Sequence, residues 1–136
     1  DAHQALERLA QHFALIIVSN VDDRGFAASN EKLGVTFDAI LTAESIGSYK
    51  PSLHNFDALD RQVDSMGIPR ERLLHVAQSL FHDHVPAKSR GMTTVWIDRR
   101  HADPGWGATP DPHATVSPDW TFTSMAEFAD AVEFGR

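Results

Sequence analysis

Ala14-Leu15-Ile16-Ile17-Val18, followed at once by Ser19-Asn20, decides how this chain reads. A short, continuous, β-branched run of this kind is the pattern of a strand buried on both faces, as in parallel sheets. Upstream, Ala2, Leu6, Leu9 and Phe13 recur at helical spacing and predict an amphipathic helix over residues 2–12. Downstream, a polar loop over 19–23 leads to Phe26, Ala27, Asn30 and Leu33, a second helix that Gly34 can close. Residues 37–42 read as another short strand. Ser52 is a good N-cap for a helix carrying Phe56, Leu59, Val63 and Met66 on one face, with Gly67 at its end. Residues 73–77 are strand-like, 84–90 form a short helix before Gly91, and 93–97 is the clearest strand. A last helix runs over about 125–134, with Ser124 and Glu127 spaced as a capping box. Strands alternating with helices predict a doubly wound α/β fold, a parallel sheet with helices on both faces.

The chain has 136 residues, a length that suits one domain. It carries 12 Lys and Arg against 19 Asp and Glu, a net charge of -7, with no basic stripe of the sort a nucleic-acid partner requires. The longest apolar run, Phe13 to Val18, falls far short of the ~20 residues of a membrane span. The absence of cysteine excludes disulfides, thiolate zinc sites and cysteine nucleophiles, and it fits a reducing, cytoplasmic setting. The N-terminus shows no signal-peptide pattern. It opens directly on a helical pattern without an initiator Met, which reads as a piece of something longer. The stretch 98–118 holds Pro104, Pro110, Pro112 and Pro118 and reads as a long loop, with Trp106 either folded onto the core or part of a lid or interface.

In open parallel sheets, ligands bind beyond the carboxyl ends of the strands. The polar residues in those positions are Ser19 and Asn20, then Lys50, then Gln78, Ser79 and Asp83, and Asp98 after the last of these strands. Ser19 and Asn20 can offer a hydroxyl, an amide and backbone N–H groups to an anion, although Ser-Asn also makes an ordinary turn. Lys50 precedes Pro51, which keeps it out of the helical region; it is one of three lysines, and alone it reads first as a solvated surface residue. Asp83 reads as the natural N-cap of the helix carrying Pro86. His75, His82 and His84 match no strong metal spacing.

Read together, these positions resemble the haloacid dehalogenase (HAD) superfamily of hydrolases, most of all its 2-haloacid dehalogenase branch. The resemblance rests on Leu15 to Asp22, Phe37 to Glu44, Ile46 to Pro51 and Leu74 to Lys88. It continues through Thr94 to Asp98 into the loop with Gly107 to Pro110. It implies a Rossmann-like sheet in which Ser19 hydrogen-bonds an anionic substrate and Asn20 helps bind it. It implies further that Lys50 steadies a nucleophilic carboxylate, and that Asp83 holds the second acidic position of a motif spanning 77–83. Gln78 and Ser79 fall in that motif as substrate-binding positions. There Ala77 stands in place of the family's Gly and Gln78 in place of its first Asp, which weakens a Mg²⁺ site, since a hard cation prefers charged oxygens. The resemblance therefore tilts toward a dehalogenase without cofactor and away from a Mg²⁺-dependent phosphatase.

The family's nucleophile is the first Asp of an Asp-x-Asp motif after its first core strand, and no such strand occurs here. The resemblance implies that this strand and the helical cap lie upstream of residue 1. Residues 1–136 are then a partial HAD-like core, inactive alone. The absent strand would lie between this chain's first and third strands. The gap is expected to close, to be filled, or to separate the sheet into halves, and its edges would permit dimerisation. The implied partner is a small anionic substrate; a non-catalytic binding module or remnant is the competing class.

Overall fold

The structure is a computed structural model and describes residues 2–99 and 116–135. Along the chain run α1 (Ala2–Ala10), β1 (Ile16–Ser19), α2 (Asp23–Leu33), β2 (Ala39–Thr42), α3 (Ala43–Ile46) and α4 (Leu53–Ser65). Then come β3 (Leu74–Ala77), α5 (Val85–Ser89), β4 (Thr93–Ile97), β5 (Trp120–Phe122) and α6 (Met125–Phe134). A single 3-10 turn, Arg70–Arg72, precedes β3, and a π-helical turn, Leu80–His84, joins β3 to α5. Most of the proline-rich stretch, including Trp106 and Gly107 to Pro110, lies outside the described residues.

Among the described residues every strand pairing is parallel, as the alternation requires. The strands nevertheless form two sheets, β1-β2 and β3-β4-β5. Among the described residues, β1 pairs only with β2, and β3 only with β4 at its own edge. Of the three expected outcomes for the gap, separation into halves is the one found. It also corrects the expectation for β1. All four of its residues are only half-buried, and Ile40 beside it in β2 is 41% exposed. A strand with one neighbour cannot be covered as fully as a strand inside a sheet.

The three-stranded sheet is wound on both faces. Val95 and Ile97 of β4 pack with Ala5 and Leu9 of α1 and with Phe128 and Ala129 of α6. On the other face, Phe56, Leu59 and Val63 of α4 pack with Ala87 and Met92. The same side of α4 also receives Ile16 and Val18 of β1 and Leu41 of β2. The apolar stripe read from the sequence thus bridges both sheets.

Helix ends follow their local chemistry. Ser52 caps α4 by accepting from His54 N–H, and Gly34 ends α2 at φ +64, a left-handed conformation that favours glycine. Ser124 caps α6 by accepting from Glu127 N–H, but the Glu127 carboxylate turns to the backbone and hydroxyl of Thr123. Half of the expected capping box therefore forms. Two elements were not expected, α3 and β5. The three residues of β5 are held by Asp98 N–H donating to Phe122 O at 2.7 Å, and by Asp119, whose carboxylate accepts from Thr94 N–H at 2.8 Å.

Candidate active site

Lys50 lies in the loop between α3 and α4, at the end of a Lys50-Pro51 cis peptide. Asn20, just past β1, holds its backbone. The Asn20 amide donates to Lys50 O at 3.1 Å, and its oxygen accepts from Lys50 N–H at 2.7 Å. With the backbone pinned, the side chain crosses to the other sheet. Lys50 Nζ donates to Asp83 Oδ1 at 2.7 Å, with the two side chains 11% and 6% exposed. A lysine so enclosed is not the solvated surface residue that its isolated reading suggests.

Asp83 is not a helix cap. It sits within the π-helical turn, whose N-cap is Ser79, and its Oδ1 also meets His75 Nε2 at 3.0 Å. Burial pushes the Asp83 carboxyl up, but the His75 hydrogen bond and the Lys50 charge outweigh it, so the group is held below the usual carboxylate range. His84 is fully buried and meets Ala77 O at 2.9 Å. Burial holds its basicity below the ordinary histidine value. Among the described residues its Nδ1 has no hydrogen-bond partner.

The structure therefore gathers Asn20, Lys50 and Asp83 from three separate stretches of the chain. Ser19, Gln78 and Ser79 stay outside this network. The Ser19 hydroxyl accepts from Val21 N–H at 3.3 Å, a local turn. Gln78 is exposed, and its backbone oxygen takes the Trp96 indole N–H at 3.0 Å. Ser79 Oγ accepts from His82 N–H and meets the His82 ring, both at 3.0 Å. The residue that sequence reasoning passed over is His75. A polar residue in the middle of a four-residue apolar strand, eight positions before an acidic one, was the available signal.

The arrangement is a cation on a fixed backbone, beside one carboxylate, linking the residue after β1 to the turn after β3. An ammonium has three donors. Among the described residues, Asp83 is the one hydrogen-bond partner of Nζ, which leaves two donors for an anion.

No protein-family model matches the chain, and no curated protein matches it by sequence. Solved structures do match. The HAD-hydrolase YfnB from Bacillus subtilis is 20% identical at a TM-score of 0.77, over 96% of this chain and 54% of that one. A HAD phosphatase from Thermococcus onnurineus is 25% identical at 0.70, over 98% and 56%. The L-2-haloacid dehalogenase from Xanthobacter autotrophicus, with chloropropionic acid covalently bound, is 18% identical at 0.76, over 100% and 61%. The chain spans between a half and two thirds of the length of these relatives. Parallel strands in this order, crossed by helices on both faces, give the chain the fold of the HAD superfamily, with structural matches that include several L-2-haloacid dehalogenases.

Proposed function

We propose that this chain is part of a hydrolase of small 2-haloacids. The observation that carries this reading is Lys50, pinned through its backbone by Asn20 and enclosed against Asp83, with two ammonium donors left for an anion. In the reaction, a carboxylate oxygen attacks the carbon bearing the halogen. The C–O bond forms as the carbon–halogen bond breaks, and halide leaves with the bonding pair. Water then cleaves the ester, restores the carboxylate and releases the 2-hydroxy acid and a proton. Lys50 attracts the substrate's anionic end and steadies the attacking carboxylate. Asn20 and Ser19 supply polar contacts at the end of β1, and Gln78 and Ser79 do so at the end of β3.

Asp83 is not the attacking group. Its Oδ1 is engaged by Lys50 and His75, and both donors lower its nucleophilicity. The resemblance assigns the attack to a carboxylate on a strand between β1 and β3, outside this sequence. Alone, the chain then turns nothing over.

The phosphatase alternative needs Mg²⁺, and the residues present do not fit it. Gln78 is neutral, and Asp83 is already paired with a cationic donor and an N–H donor. A hard cation asks for several free oxygens.

Halide release from 2-chloropropionate tests the reading. The 136-residue chain should release none. A longer polypeptide that supplies the carboxylate should release halide without Mg²⁺ and lose that activity in Lys50→Met. Turnover by the short chain, or Mg²⁺-dependent hydrolysis of an aryl phosphate in place of halide release, sinks it.

A further inference from the structure

Two donors converge on one oxygen of Asp83: Lys50 Nζ at 2.7 Å and His75 Nε2 at 3.0 Å. An ionised carboxylate only accepts, so Nε2 must carry the hydrogen and donate it. His75 is held rigidly for this. It sits within β3, in register with Thr94 of β4, and the Phe56 ring meets it edge-on with centroids 5.4 Å apart. Asp83 rides on the π-helical turn that follows, so a residue of the sheet anchors a residue of a turn.

We infer that His75 is a positioning residue, deepening the function proposed above: from β3 it fixes one Asp83 oxygen and thereby the direction of the Lys50 ammonium. Without that second donor, Asp83 Oδ1 has only Lys50 to orient it. The pair could then swing together, and the two free ammonium donors would lose their aim. Among the described residues, the charged or titratable groups around His75 are Asp83 and His84 of the π-helical turn and Lys50 of the loop. Helix α4 contributes Phe56, and β4 contributes Thr94, neither of them charged.

A histidine that merely fills space under Phe56 would make no such demand on its tautomer. NMR of the isotope-labelled 136-residue chain separates the two. In the unmodified chain at neutral pH, the His75 ring should carry its hydrogen on Nε2, bonded to Asp83. In His75→Leu, the Asp83 carboxyl should titrate at higher pH, and the Lys50 ammonium protons should exchange about tenfold faster or more as their hydrogen bond opens. His75→Gln, which keeps a donor at similar reach, should restore both. Unchanged Asp83 and Lys50 signals in His75→Leu overturn the inference, and so does a Gln variant that behaves like Leu. If the Leu variant fails to fold, the unmodified ring decides: a bare Nε2 beside Asp83 overturns it. None of these readouts needs turnover, so a failed halide assay leaves them standing and tells against the proposed reaction alone.

Discussion

Asn20 and Lys50 are 30 positions apart, yet the side-chain amide of the first satisfies both the N–H and the C=O of the second. The amide acts as one rung of a ladder where no strand is available. Removing it leaves two backbone groups in a partly buried loop without partners. Asn20→Ala should destabilise the fold by about 1–3 kcal/mol, the usual cost of such unmet groups. Urea unfolding measures this, and a change within error would mean that water replaces the amide freely.

Breaking the Lys50–Asp83 pair should cost more. Both side chains are nearly enclosed, so truncating one partner strands the other's charge. Asp83→Ala should lose about 3–5 kcal/mol, the range for a broken buried pair. The double change Lys50→Met with Asp83→Ala should lose much less, because no charge is left behind. A double-mutant cycle in denaturant reads the difference, and additive losses would argue that the pair is effectively solvated.

Acid should unfold the chain partly through Asp83. Its folded carboxyl titrates below the usual range, so the unfolded chain takes up the proton first. The stability it contributes is present above the unfolded pKa of about 3.9. It is lost as pH falls from there through the lower folded value. Stability measured from pH 6 to 2 should drop across that window, and the drop should shrink in Asp83→Asn.

His84 should act at milder pH. Burial depresses its folded pKa, so between that value and the unfolded one of about 6.5 only the unfolded chain is protonated. Stability is full above the unfolded pKa and declines as pH falls below it. His84→Gln, which can still donate to Ala77 O, should flatten the profile between pH 7 and 5. An unchanged slope would assign the loss to another group.

Phe56 is fully buried and packs against His75. Phe56→Ala should cost about 3–5 kcal/mol, as is usual for a large aromatic removed from a core. It should also release the His75 ring, which the ring's own NMR signals would report.

Some of this was legible in the chain and some was not, for physical reasons. Residues 93–97 form a strand at the expected bounds, because Thr-Thr-Val-Trp-Ile is a β-favouring run stopped on both sides. The α4 cap at Ser52 follows from local hydrogen bonding alone. Asn20, Lys50 and Asp83 stand out as polar residues after strand ends, where parallel sheets gather ligands. His75 does not, because a histidine in an apolar strand gives the same local pattern whether it packs or donates. Asp83 reads as a cap because a π-helical turn has no periodicity to reveal it. Three-residue β5 carries too little pattern to register before its partner strand is known.

Helix α4 lies against β1, β2 and the neighbourhood of β3 at once, while the two sheets share no hydrogen-bonded strand among the described residues. Its side chains therefore set the span between the Asn20–Lys50 half of the site and the His75–Asp83 half. The helix works as a spacer bar: volume changes at Leu59 or Val63, on its buried face, would shift the Asn20–Lys50 half against the His75–Asp83 half.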